Sequence, residues 1–309
     1  MEDRLLHNFG ACTDEIHSDL ETALGVAKEL GMRSVELYEF WGKPVVEMDD
    51  GEIDQARDLL ERFELSVSAI GSLFLKLVLL GDVPKGGVAD ESAFREDLEV
   101  LRASIGIAKR VGAPVVRSYS FRREGMVGFG NPSPRLAQGG EIPDEILEKI
   151  VEGLRIAGDE TAAAGLILGM ENVRSCWGNT GLNLARIIRA VDHPAIGAMW
   201  DPGNDYVSGG NPLPDGYEAV KEFICHVHVK DARIVDQETG LTSWEAVGNG
   251  EVDFVGQFRA LRRDGYAGTL SLETHWHPPT PGGGEPDRIA DSRTSFAGVR
   301  AALRESLED

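Results

Sequence analysis

The sequence predicts an α/β protein folded as a parallel (β/α)8 barrel. Strand-like and helix-like runs alternate eight times along the chain, an order that builds either a closed parallel barrel or an open doubly wound sheet. The 309 residues accommodate the barrel, which usually needs about 250, and the count of eight favours it. An open dinucleotide-binding sheet would begin with a glycine-rich turn between strand and helix. Residues 248–253, Gly-Asn-Gly-Glu-Val-Asp, precede a helical run but lack the third glycine and a preceding strand. A single domain is expected over residues 1–309.

Residues 5–12 supply the first strand, and the helical pattern over 18–30 stops at Gly31, a residue suited to a C-cap. Residues 34–40 and 65–73 read as strands two and three, separated by a helix over 51–63. Phe94, Leu98, Leu101 and Ile105 recur at helical spacing and place the third helix over 90–111. Residues 113–121 follow as strand four. The segment 122–142 carries seven Gly or Pro residues and no sustained period, which predicts a long loop of the kind that forms lids or binding loops. Ile146, Ile150, Leu154 and Ala157 mark helix four; residues 166–172 form strand five, 181–190 helix five and 195–201 strand six. A Gly- and Pro-rich turn over 202–214 leads to a short helix near Tyr217. Residues 224–233 form strand seven, and Val252, Val255, Phe258 and Leu261 mark helix seven, capped by Asp253 or by the turn at 248–250. Strand eight spans 268–275, a Pro/Gly loop covers 278–286, and 289–307 closes the chain as helix eight.

A net charge of −21 opposes nucleic acid as a partner, because phosphate neutralisation needs clustered Lys and Arg. Cys12, Cys176 and Cys225 are isolated, so neither a disulfide framework nor a cysteine zinc site is expected. No stretch of about 20 apolar residues spans a membrane, and the first residues, Met-Glu-Asp-Arg-Leu-Leu-His, lack the features of a signal peptide. A cytoplasmic protein with no membrane partner is expected.

The chemistry is organised around residues 224–233, Ile-Cys-His-Val-His-Val-Lys-Asp-Ala-Arg. Alternation puts His226, His228 and Lys230 on one face of a strand and Val227 and Val229 on the other. Strands five, six and eight carry Glu171, Asp201 and Glu273 near their ends. Reacting groups of such barrels come from C-terminal strand ends, so Glu171, Asp201, His228 and Glu273 are expected to meet. Any one of these acids alone reads more readily as a solvated loop-edge residue, but four consecutive strand ends bearing ligand-type residues form a pattern. Three carboxylates and one imidazole suit a single divalent ion: Mn2+, Mg2+, Co2+ or Zn2+. Two carboxylates about 5 Å apart repel by roughly 3 kcal/mol at an effective dielectric near 20, a conflict that a divalent cation removes.

The pieces Val35-Glu36-Leu37, Gly169-Met170-Glu171-Asn172, Trp200-Asp201-Pro202-Gly203-Asn204, His226-Val227-His228-Val229-Lys230-Asp231, Gly248-Asn249-Gly250-Glu251-Val252-Asp253 and Leu272-Glu273 occur in this order. With them the sequence resembles the xylose isomerase-like TIM barrel family, which contains ketose 3-epimerases, hydroxypyruvate isomerase, inosose dehydratase and, more distantly, endonuclease IV. The resemblance runs over most of the chain, residues 5–275. It implies that Glu171, Asp201, His228 and Glu273 hold one divalent metal, Mn2+ first among the candidates. It also implies that Glu171 and Glu273 are catalytic, exchanging protons with a substrate carbon. The implied activity is that of a sugar or keto-sugar isomerase or epimerase working through a metal-stabilised enediolate. Those epimerases commonly carry a histidine three residues after the metal-binding Asp, where this chain has Asn204, which hydrogen-bonds a hydroxyl but does not shuttle a proton. The family arginine that follows the metal histidine matches Arg233, one residue short in spacing. Homo-oligomerisation through loops at the active face is implied as well.

Further substrate contacts are expected from Glu36, Asn204 and His275, while Lys230 and Arg233 would support developing negative charge. An ion pair to Asp231 or Asp236 is the alternative for those two cations. All five tryptophans, Trp41, Trp177, Trp200, Trp244 and Trp276, fall at or beyond expected strand ends, where an aromatic plane covers the apolar face of a sugar. Trp177, just past strand five, is the one singled out for substrate, and a small carbohydrate is the expected partner. Three other activities use parts of the same pattern: a lyase, dehydratase or deglycosidase acting on a 3-keto-sugar, keto-glycoside or keto-inositol; an endonuclease IV-like nuclease; and a non-catalytic binding barrel. The acidic charge and the scarcity of histidines oppose the nuclease.

Overall fold

A computed structural model describes residues 4–125, 140–279 and 283–308. Most of the expected long loop, residues 126–139, lies outside the described residues, as do 280–282 of the Pro/Gly loop. Eight parallel strands close into a barrel in sequence order: β1 Phe9–Cys12, β2 Ser34–Leu37, β3 Ser66–Ile70, β4 Val115–Ser118, β5 Ile167–Glu171, β6 Ile196–Trp200, β7 Ile224–Val229 and β8 Leu270–Leu272, with β8 paired back to β1. The connecting helices are α1 Leu20–Glu29, α2 Asp50–Phe63, α3 Ser92–Val111, α4 Asp144–Ala163, α5 Gly181–Val191, α6 Pro202–Val207, α7 Phe254–Arg263 and α8 Arg288–Glu305. No helix among the described residues is long and apolar enough to cross a membrane. The three cysteines are free.

Strand periodicity explains how the barrel is filled. Phe9 and Ala11, Val35 and Leu37, Leu168 and Met170, Val227 and Val229, and Leu270 and Leu272 belong to the large core shared with the helices. Their alternate neighbours face the barrel axis. Deep in the barrel these neighbours are apolar: Ala69, Val115 and Met199 pack together with Ile167 and Cys225. Above that layer the same alternation delivers Glu36, Arg117, Glu171, His226, His228 and Ser271, every one of them buried. The register continues the pattern across strands, with Ser271 level with His228 on β8 and β7.

Several elements end sooner than the sequence suggests. Residues 4–7 form a turn of helix before β1, and Glu39–Phe40 leave the barrel to pair with Lys43–Pro44. The largest difference follows β7. The barrel strand stops at Val229, and Asp231–Asp236 turns into an antiparallel ribbon with Leu241–Glu245. Thr242, Ser243 and Trp244 alternate too briefly for sequence reading to distinguish the ribbon from loop.

Asp231 fixes this departure. Its carboxylate accepts backbone N–H groups from Ala232, Gly248, Gly250 and Val252 at 2.8, 2.9, 3.0 and 3.2 Å. A Cβ on Gly250 would collide with that carboxylate, which explains the glycine there. The turn at 248–250 thus serves as a cradle for an aspartate at the barrel rim, and Asp253 caps α7 by accepting from Gly256 N at 2.8 Å. Asp231→Ala removes the acceptor for four backbone donors and is expected to lower the unfolding free energy by about 2–4 kcal/mol. Urea denaturation monitored by circular dichroism checks this; an unchanged midpoint would show that the cradle contributes nothing.

Candidate active site

Glu171 ends β5, Asp201 follows β6, His228 sits near the end of β7 and Glu273 follows β8. One ligating atom from each of the four lies within 4.8 Å of the others. The strand ends are tied together where this happens. Asn172 Nδ2 donates to the Asp201 carbonyl at 2.8 Å, and Asp201 N donates to Asn172 Oδ1 at 2.9 Å. Asp201 also caps α6, its Oδ1 accepting from Asn204 N at 2.8 Å. Gly203 allows α6 to press against β7, since a Cβ there would collide with the Lys230 carbonyl oxygen.

Each ligand-type side chain has a partner that orients it. Asn204 Nδ2 donates to Glu171 Oε1 at 2.9 Å. His228 Nε2 lies 2.9 Å from Glu36 Oε2, which turns Nδ1 toward Glu171 and Glu273 at 3.6 and 3.5 Å. Such an outer carboxylate fixes the ring of a metal-binding histidine. Lys230 Nζ lies 2.5 Å from Glu273 Oε2 and 2.9 Å from Asp201 Oδ2. Arg117 is central to the group, with Nη1 at 3.4 Å from Glu36, 3.7 Å from Glu171 and 3.6 Å from Glu273.

Burial and charge compete at every carboxyl. Burial opposes ionisation of Glu171, but His228, Arg117 and Lys230 overcome it and hold the group well below the usual range. Burial likewise opposes ionisation of Glu273, and Lys230, His228 and His275 bring it down. Asp201 goes the other way: burial, with repulsion from Glu273 and Glu171, outweighs Lys230 and raises it. Burial disfavours the charged form of His228, yet Glu36, Glu273 and Glu171 lift it well above an ordinary histidine. Glu171 Oε2 and His228 Nδ1 make no hydrogen bond although both are sealed from solvent, and Asp201 Oδ2 has the Lys230 ammonium beside it at 2.9 Å. Three carboxylates and an imidazole converging this closely, with an unsatisfied Glu171 oxygen among them, are what a divalent cation satisfies once His228 has released its proton, so this donor set fits a divalent ion.

Glu171 and Glu273 form the floor of a cavity of about 340 Å3, within the range of small-ligand sites, while Asp201 and His228 are fully buried and do not line it. Of the further residues expected at substrate, Asn204, Lys230 and His275 line it. Glu36 does not: it is fully buried beneath His228, which it orients. Trp177 is buried away from the wall, its ring 4.8 Å below the Arg123 guanidinium. Arg233 points outward on the ribbon, 3.4 Å from Glu245, and donates to the Asn249 carbonyl; the expected partners Asp231 and Asp236 are not the ones it takes. Among the tryptophans only Trp244 lines the cavity, brought in by the ribbon and packed 5.4 Å from the His275 ring. Trp200 is core, its Nε1 donating to Gln257 at 3.3 Å. His226 is a satisfied interior histidine beside Ser271 Oγ at 2.9 Å.

Sequence reading missed Arg117, Lys76, Tyr119, Arg174, Tyr38 and Asp14, all of which line the cavity. Arg117 was detectable: it is a lone cation in the alternating strand Val-Val-Arg-Ser, the same signal that singles out His228. Asp14 carries a carboxyl pushed up to about 7 by burial and by Glu15. It belongs to a turn of helix, Thr13–Ile16, within the expected first loop.

Comparison with known proteins bears on the fold and the family. A 3-dehydroshikimate dehydratase of Pseudomonas putida is 30% identical over 148 residues, 44% of this chain, but the chain spans only 22% of that protein's length. A putative L-ribulose-5-phosphate 3-epimerase of Escherichia coli is 22% identical over 283 residues, covering 86% of this chain and 88% of the epimerase. The crystal structure of the IOLI protein with a zinc atom superposes with a TM-score of 0.72 at 16% identity, covering 98% of this chain and all of the other. The sequence model of the xylose isomerase-like TIM barrel matches residues 24–297, and with the closed eight-stranded barrel it establishes that this chain belongs to the xylose isomerase-like TIM barrel family.

Proposed function

We propose that this protein is a divalent-metal-dependent sugar or keto-sugar isomerase or epimerase. Glu171, Asp201, His228 and Glu273 would hold one ion, and Glu171 and Glu273 would carry the proton. The observation that supports this reading is the convergence of the four ligand atoms within 4.8 Å, two of them on residues, Glu171 and Glu273, that line the cavity. When bound, a divalent ion, with Mn2+ the first candidate and Mg2+, Co2+ or Zn2+ the others, acts as a Lewis acid on the oxygens flanking the reacting C–H.

The rest of the chemistry belongs to the chain. Glu171 and Glu273 rise from β5 and from the end of β8 and are held ionised by their cationic neighbours, so either can accept a proton at neutral pH. Arg117 stands beside both carboxylates and Lys230 beside Glu273, where they would face charge that develops on substrate oxygens. Asn204 fixes the orientation of Glu171 and moves no proton. Return of the proton to the opposite face gives an epimer, and return to the neighbouring carbon gives an isomer.

A second reading is elimination. The local match to a dehydratase favours it, and the same abstraction followed by loss of a β-substituent would accomplish it. Product mass separates the two, since isomerisation conserves formula and dehydration loses water.

Glu171→Gln and Glu273→Gln should each lower deuterium incorporation from D2O into a reactive ketose or keto-glycoside by about 10²–10⁴-fold. Incorporation that persists in both variants would remove the proton-carrying role. Metal affinity should fall with pH. His228 is held protonated near neutrality and must release a proton to ligate through Nδ1, so binding weakens as pH drops below its raised pKa. Calorimetric titration with Mn2+ in buffers of different ionisation enthalpy should therefore register proton release, and its absence would exclude His228 as a ligand that binds in competition with a proton.

A further inference from the structure

We infer that the substrate carries an anionic group, a carboxylate or a phosphate, remote from the reacting carbon, and that Arg174 selects it. The inference rests on the proposed function only in placing the reacting carbon over the carboxylate floor. The cavity is polarised. Its ligand-type groups come from the ends of β5 to β8, whereas Lys76, Tyr119 and Arg174 follow β3, β4 and β5 on the adjoining wall.

Arg174, partly buried, differs from the two buried cations of the cavity, Arg117 and Lys230. Arg117 has Glu36, Glu171 and Glu273 within 3.7 Å, and Lys230 has Asp201 and Glu273 within 2.9 Å. Arg174 lies on the cavity wall beside Ser175, yet its Nη1 is sealed from solvent without a hydrogen-bond partner. Burial alone displaces its pKa, downward, with no carboxylate acting on it. Among the described residues no carboxylate pairs with this partly buried guanidinium, and its fork of N–H groups matches the paired oxygens of a carboxylate or phosphate. Lys76 adds charge to the same wall, its Nζ 3.4 Å from the Tyr119 hydroxyl. Arg174 follows Glu171 by three residues, about 10 Å of chain at most, so one sugar-sized molecule can bridge anion site and floor.

Binding of D-fructose, D-fructuronate and D-fructose 6-phosphate to the metal-loaded protein tests this by calorimetry, with D2O exchange measured in parallel. At least one anionic probe should bind about tenfold or more tighter than fructose, and whichever does identifies carboxylate or phosphate. Arg174→Gln should bring the anionic-to-neutral affinity ratio close to one, and Arg174→Lys should retain part of it. Equal binding of the three probes, or a ratio unchanged in Arg174→Gln, would overturn the inference. Anionic preference without exchange keeps the anion site and removes the proton-transfer reading; exchange without preference does the reverse.

Discussion

Four carboxylates, Glu36, Glu171, Asp201 and Glu273, are buried in one layer of the barrel interior, none more than 8% exposed. Like charges so close and so dry repel strongly, and removal of any one counterion leaves an uncompensated buried charge. The layer is tolerable only because Arg117, Lys230 and a protonated His228 are threaded through it. Helix packing on the outside and the apolar plug beneath keep water out, which makes these electrostatic interactions strong. The layer is thus a structural liability that keeps its carboxylates ionised, and ionised carboxylates are ready ligands for a cation.

The backbone around this layer serves to hold it still. The reciprocal pair between Asn172 and Asp201 locks neighbouring strand ends together. Gly203 lets α6 begin directly against β7, so the residue that caps the helix, Asp201, is also one of the four whose ligand atoms converge. Glu36 reaches across from β2 to orient His228, joining opposite walls of the barrel. Positions that look like candidate ligands or substrate contacts in the sequence therefore divide into groups that face the cavity and groups that aim those that do.

The floor of the site was legible because it follows from a period of two and from strand ends, both of which are local. Glu171, Asp201, His228 and Glu273 needed only the assumption of parallel neighbours. The walls were not legible for a different reason. Lys76, Tyr119 and Arg174 lie past strand ends in segments with no periodicity, and their convergence is a property of barrel closure. Trp177 and Trp200 occupy equivalent-looking positions beyond or at strand ends, yet core packing took both. Trp244 reaches the cavity through a ribbon whose short alternation gave no usable signal. Glu36 read as a substrate contact because sequence does not show which side chain packs against it: at the same end of a strand, this fully buried carboxylate meets His228 in place of a ligand.

The ribbon that begins at Asp231 is continuous with the strand that carries His228, and its pairing puts Trp244 opposite Ala232. Wall and floor are therefore set by one stretch of backbone in a fixed register. Lengthening the hairpin tip between Asp236 and Leu241 leaves that pairing untouched, whereas a single residue inserted between Val229 and Ala232 would rotate every later side chain to the opposite face. Changes of length at the far tip can thus rework the rim while leaving the candidate site unchanged, and one indel at the root would separate the two.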